Sequence, residues 1–125
     1  MGLRLAVLEK RYSIHRFTPD SAIPERALQG EFYTVSRTEE ELSIVCDSEI
    51  ELEAMESQNN WRIIKVVGPL DFSLTGILAK ISTTLASAEI SIFALSTFDT
   101  DYILVKNENL EKARRALLEA AYHFL

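Results

Sequence analysis

A single cysteine, Cys46, in 125 residues excludes an internal disulfide framework. No Asn-X-Ser/Thr sequon occurs either, so a reducing cytoplasm is the expected setting. Only four glycines are present, Gly2, Gly30, Gly68 and Gly76, which leaves neither a Walker loop nor a dinucleotide fingerprint. There is no Gly-X-Ser-X-Gly elbow. The two histidines, His15 and His123, lie far apart in sequence and neither sits in a His-Glu-X-X-His pair. Each reads as a strand or surface histidine, and no metal site is expected. Cys46, next to Ile44 and Val45, reads as a small buried hydrophobe, with no cation or helix start in sequence to lower its pKa. With no nucleophile–base pair and no metal cluster, the chain is not expected to be an enzyme or to carry a cofactor.

No run of about 18 apolar residues exists, which excludes a membrane-spanning helix. Residues 1–10 carry Arg4 and Glu9 and lack a signal peptide's apolar stretch. Basic residues are in the minority, 13 against 19 acidic, for a net charge of −6. Binding to nucleic acid or an anionic membrane through a basic surface is therefore not expected. The imbalance lies wholly in residues 1–60, with six basic and twelve acidic side chains, whereas residues 61–125 hold seven of each. Glu49, Glu51, Glu53 and Glu56 supply much of it. Their spacing fits no calcium loop, so this stretch reads as a solvated linker or a short exposed helix.

What is present is an alternation of strand and helix signals. Residues 3–9 and 12–17 predict two short strands, with Leu3, Leu5 and Val7 alternating on the first. Pro19 and Pro24 punctuate the chain, and residues 25–28 allow one helical turn. Residues 32–37 and 42–46 predict a hairpin. Residues 47–60 hold no core-forming pattern and end in Ser57-Gln58-Asn59-Asn60, the best linker candidate. Residues 61–67 form a β-branched run stopped by Gly68-Pro69. Within residues 72–88, Leu74, Ile77, Leu78, Ile81 and Leu85 mark one face of a helix, with Asp71 or Ser73 available as its cap. Residues 90–96 and 102–106 predict strands. A last helix starts near Asn107 or Asn109 and buries Leu110, Ala113, Leu117 and Ala121, before a short terminal strand. Strand, helix, strand, strand, helix and strand is the ferredoxin-like split βαβ order.

An internal repeat supports a second such unit. An offset of 60 places Ser36 on Ser96, Glu39 on Asp99, Ile44 on Leu104 and Val45 on Val105. The domains expected are residues 1–60, an eroded first unit, and residues 61–125.

Two segments invite ligand chemistry. Gly68-Pro69-Leu70-Asp71-Phe72-Ser73-Leu74-Thr75-Gly76 is a strand-to-helix turn, and a helix start offers N–H donors and positive potential to a carboxylate. Gly76 within the first helical turn costs about 1 kcal/mol relative to Ala; close approach of a ligand or a neighbouring chain, or close packing of the helix on a sheet, would each explain it. Ser96-Thr97-Phe98-Asp99-Thr100-Asp101 offers acids to an ammonium or guanidinium group, or is a hairpin turn bonding its own backbone.

Taken together, these segments and the strand signals of residues 90–105 resemble ACT domains of small bacterial stand-alone proteins. They are also similar to those of CASTOR-type arginine sensors and, more distantly, of aspartate kinase regulatory tails. Residues 32–46 resemble the first of two ACT-like units, without its long first helix. The resemblance implies an α+β fold of two ferredoxin-like, ACT-type units, with antiparallel sheets and helices on one face of each. It implies a non-enzymatic regulatory module that binds a small molecule, an amino acid, between ACT units. The helix-start positions that correspond are Leu74, Thr75, Gly76 and Ile77; the strand-end positions are Thr97, Phe98 and Asp101, with Asp101 on the ligand-contacting aspartate of the arginine-sensing relatives. A homodimer is implied as well, and the same surface serving only as a dimerisation interface is the alternative.

Overall fold

Helical periodicity in the second half and two-residue alternation elsewhere are realised in the computed structural model, which describes residues 3–68 and 75–125. The strands are β1 (Arg4–Val7), β2 (Tyr12–Phe17), β3 (Thr34–Arg37), β4 (Leu42–Asp47), β5 (Glu56–Val66), β6 (Ile92–Ser96), β7 (Asp101–Lys106) and β8 (His123–Phe124). The helices are α1 (Ile77–Ser87) and α2 (Leu110–Glu119). The fold is mixed α/β and ferredoxin-like. The chain divides into two compact units, one made of Met1–Glu9 with Arg62–Leu125 and the other of Lys10–Trp61.

In the first of these, β1 runs antiparallel to β5, Leu5 opposite Val66 and Val7 opposite Ile64. It also runs parallel to β8, Arg4 opposite His123. On the other side β7 pairs with β5 and, antiparallel, with β6. Leu5, Ile64, Val66, Ile103 and Val105 form the strand layer of one buried cluster. Ile81 and Leu85 of α1 and Leu110, Ala113 and Leu117 of α2 close over them, as the helical spacing of those residues predicts. A division at residue 60 leaves β1 with the first half of the chain. Strand β1 belongs instead to the unit with Arg62–Leu125, because its ladders are with β8 and the second half of β5. Ala121, expected in the core, is exposed; it takes a left-handed φ of 73° after α2 and turns the chain into β8.

The Lys10–Trp61 unit is a sheet in the order β3-β4-β2-β5, antiparallel throughout. Among the described residues it contains no α-helix, only a 3-10 turn at Glu25–Ala27. Helices on one face of each unit are therefore not found: Pro19, Pro24 and Gly30 interrupt the stretch where one would have to form. Residues 48–55 cover the sheet instead. Ile50, Leu52 and Ala54 pack against Phe17, Ala27, Leu42, Ile44 and Cys46, while Glu49, Glu51 and Glu53 face solvent. This corrects the reading of a patternless linker, since the strap alternates with period two. It is anchored by the Ser48 N–H to the Arg11 carbonyl and the Met55 N–H to the Arg16 carbonyl, both 2.9 Å.

Ser57-Gln58-Asn59-Asn60, the expected linker, is part of β5. His15 lies opposite Ser57 and Ile14 opposite Gln58, then the register slips before Tyr12 meets Trp61. Asn59 and Asn60 thus oppose Ser13 alone, a β-bulge in which Asn60 has φ 64°. The extra residue turns Trp61 to the face of Tyr12, where both are buried. Ser57 and Asn59 stay on the other face. There Ser57 Oγ lies 2.7 Å from His15 Nδ1, and Ser13 Oγ donates to Asn59 Oδ1 at 2.8 Å. Polar strands are stable here because ladder and side chains satisfy one another.

Two outcomes follow from this packing. Leu85→Ala empties a site with 0% exposure and lowers unfolding free energy by about 2–5 kcal/mol, read from urea denaturation. The His15 ring is 5% exposed, and burial holds its pKa below the ordinary value of 6.5. The unfolded chain then binds that proton more readily, so stability is complete above about pH 7 and declines as pH falls towards 5. Denaturation midpoints of His15→Asn should decline less steeply than wild type over that interval.

Candidate functional site

Helix α1 begins at Gly76, whose φ of 78° and ψ of 4° place it in the left-handed region as the N-cap. A Cβ built on it meets nothing within 4 Å. Among the described residues no sheet packs close enough to require the glycine, whereas its left-handed backbone does. The same fact corrects the expected helix start: Gly76 precedes the first turn instead of lying inside it. The candidate caps Asp71 and Ser73, and the expected site residue Leu74, lie outside the described residues. Thr75 and Gly76 are exposed, and Ile77 is half-buried against the core. Among the described residues no side chain caps α1 and its first turn carries no acid, so the turn itself adds no negative charge to the helix's positive end.

The strand-end group sits in the β6–β7 hairpin. The Thr97 N–H donates to the Thr100 carbonyl at 2.8 Å, and the Thr100 N–H donates back to Thr97 Oγ1 at 3.4 Å. Thr100 Oγ1 reaches into the sheet and donates to the Val66 carbonyl at 2.6 Å, which fixes the turn against β5. Phe98 at the tip is 80% exposed. Asp101 is opposite Ser96, and its Oδ1 accepts a 2.6 Å hydrogen bond from Ser96 Oγ. That bond satisfies the hairpin role while orienting the carboxylate.

The first hairpin repeats this turn. The Thr38 N–H donates to the Glu41 carbonyl at 2.9 Å, and the Glu41 N–H donates to Thr38 Oγ1 at 3.1 Å. Thr38 is therefore the counterpart of Thr97, Glu41 of Thr100 and Ile44 of Ile103. The repeat inferred from sequence is out of step by one residue: Arg37, not Ser36, is the counterpart of Ser96.

Gly76 lines a groove of about 560 Å³ together with Ala79, Lys80 and Thr83 of α1 and with Tyr122. Thr97, Phe98 and Asp101 do not line it. The structure thus places Thr75, Gly76 and Ile77 at one helix start and Thr97, Phe98 and Asp101 in one hairpin. Cys46 is fully buried, and burial pushes its thiol up to about 11, which suits no nucleophile. Among the described residues no group of three His, Cys, Asp or Glu side chains is arranged to hold a metal ion. No helix among them is long and apolar enough to cross a membrane. What the sequence reading passed over is the row Ser13, His15, Ser57 and Asn59, whose signal was polar residues at every second position.

Comparison with known proteins agrees with this architecture. Residues 56–119, from β5 through α2, match the family model of the ACT domain. Residues 10–50 match a separate model of an N-terminal domain. The mouse cytosolic arginine sensor for mTORC1 subunit 1 is 33% identical over 104 residues, covering 71% of this chain and 31% of that protein. Its human counterpart is 36% identical over 87 residues, covering 63% and 26%. The chain thus spans about a third or less of the length of these curated relatives. A crystal structure of an Agrobacterium tumefaciens protein is similar with a TM-score of 0.92 and 36% identity, covering 100% of this chain and 93% of that one. The regulatory subunit of aspartate kinase from Thermus thermophilus shares the fold, with a TM-score of 0.68 at 16% identity over 93% of this chain and 95% of that one. With two helices over a sheet in ferredoxin-like order, and the family model spanning β5 to α2, the chain belongs to the ACT domain family.

Proposed function

We propose that this chain is a non-enzymatic regulatory module that binds an amino acid at an interface between ACT units, the facing unit supplied by a second copy in a homodimer. The observation that carries this reading is the ACT match over residues 56–119, which contains both the start of α1 and the Thr97–Asp101 hairpin. The ligand's carboxylate meets the N–H groups around Leu74, Thr75, Gly76 and Ile77. Its cationic group meets Asp101, beside Thr97 and Phe98, in a charge-assisted bond. The name of the mammalian relatives, an arginine sensor, supports an amino acid as the ligand class; their description as cytosolic supports a cytoplasmic setting. Residues 1–60 are, on this reading, a degenerate first ACT-like unit and residues 61–125 the second, an idea supported by the shared turn of Thr38 and Thr97.

A second reading, dimerisation without a ligand, is favoured by one feature. Among the described residues strand β6 pairs with β7 alone, and its apolar sequence offers a ladder edge to another strand.

The experiments separate the two. A thermal-shift screen of the twenty amino acids should find one that stabilises the protein by mass action. In calorimetric titration with that amino acid, Asp101→Ala should weaken binding by about 2–5 kcal/mol. Equal affinities remove Asp101 from the site, and no stabilisation by any amino acid leaves the ligand-free interface. Light scattering at micromolar concentration should give twice the chain mass of 14.2 kDa; a monomer excludes a site shared between two copies.

A further inference from the structure

The Lys10–Trp61 unit contains a polar cavity of about 660 Å³ between its sheet and the strap of residues 48–55. We infer that this cavity is a second small-molecule site, distinct from the ACT-domain site, and that it takes a free amino acid whose side chain ends in an amide or hydroxyl group. The floor is uncharged, and its β2 part is buried: Ser13 is 1% exposed and His15 5%. Ser57 and Asn59, both exposed, continue it along β5.

The hydrogen bonds of this floor have a fixed direction. Ser13 donates to Asn59 Oδ1, so the proton between Ser13 and Ser48, 2.8 Å apart, must come from Ser48. The Ser48→Ser13→Asn59 relay leaves the Asn59 Nδ2 donor free for a ligand. His15 Nδ1 is occupied by Ser57, whereas its Nε2 is buried without a hydrogen-bond partner. Buried polar atoms are rarely left so, and a ligand group that both donates and accepts satisfies Nε2 and Asn59 Nδ2 together. An amide or hydroxyl does this and an alkyl chain does not. Burial keeps the imidazole neutral at physiological pH, so the floor carries no charge to select a simple ion.

Charge enters only at the rim, with both signs. Arg26 stands there with Glu51 and Glu53, all three exposed. Two carboxylates repel a phosphate dianion, and the guanidinium disfavours a plain cation. A zwitterion fits, its carboxylate towards Arg26 and its ammonium towards the glutamates. The β-bulge at Asn59 and Asn60 sits at one end of the floor, a common position for a bulge beside a binding site.

The test is nitrogen-15 NMR of the whole chain titrated separately with L-glutamine, L-asparagine, L-serine and L-leucine at millimolar concentrations. Saturable shifts of His15 Nε2 and the Asn59 side-chain amide are expected with at least one of the first three and not with leucine. Arg26→Gln and Glu53→Gln, both surface changes, should each weaken that binding about tenfold. Asp101→Ala should leave it unchanged, so this site and the ACT-domain site succeed or fail separately. Shifts confined to residues 75–101, an equal response to leucine, or no saturable shift at His15 and Asn59 would each overturn the inference.

Discussion

In each hairpin a threonine hydroxyl accepts the N–H of the residue three places on, while the threonine's own N–H donates to that residue's carbonyl. This small ring sets the strand register, and which side chains are buried follows from it. It leaves Arg37 opposite Leu42 and Ser96 opposite Asp101, and so turns Ile44 and Cys46 in one unit, and Ile103 and Val105 in the other, towards their cores. A slip by one residue would exchange buried and exposed faces along every paired strand. The slip that does occur, at Asn59 and Asn60, is confined to one bulge. Its effect is to send Trp61 and Asn59 to opposite faces of the same strand.

The parts of the fold legible in sequence are those where one periodicity dominates. Ile81 and Leu85, and Leu110, Ala113 and Leu117, announce helices because only a 3.6-residue repeat puts them on one side. Strands β6 and β7 announce themselves by β-branched and aromatic content. The first half of β5 does not, since Ser57-Gln58-Asn59-Asn60 has no apolar residue and its strand conformation is imposed by pairing with β2, a tertiary effect. The strap was legible in principle: Ile50, Leu52 and Ala54 alternate with glutamates, but the eye is drawn to the charge rather than the period. For the candidate site, the residue types at the start of α1 and in the Thr97–Asp101 hairpin were readable. The left-handed φ of Gly76 was not, because a glycine in sequence does not say whether space or backbone angle requires it.

The two units solve the problem of covering a sheet face differently. Around β5 and β7 the cover is helical and apolar, and the buried cluster beneath it is built almost wholly of aliphatic side chains. Across β2 and β4 the cover is a thin extended strap that shields Phe17, Leu42 and Ile44 and leaves Ser13 and the Nδ1 of His15 to be satisfied by hydroxyls and an amide. That difference accounts for half of the charge asymmetry. A strap one residue thick must present every second side chain to water, and Glu49, Glu51 and Glu53 occupy those positions.

Strand β1 has a further consequence for the order of folding during synthesis. It leaves the ribosome well before its partners, which are Ile64 to Val66 of β5 and, in parallel, His123 and Phe124. Every contact that holds it therefore closes a long loop, the slowest and entropically most demanding kind. The intervening Lys10–Trp61 segment has its own ladders and can organise while β1 waits unpaired. The ACT-domain core is then sealed last, when the Leu125 N–H reaches the Leu5 carbonyl at 2.8 Å. Vectorial synthesis thus gives this small chain a built-in sequence: the polar, strap-covered unit first, and the helix-covered unit only once translation has passed its final strand.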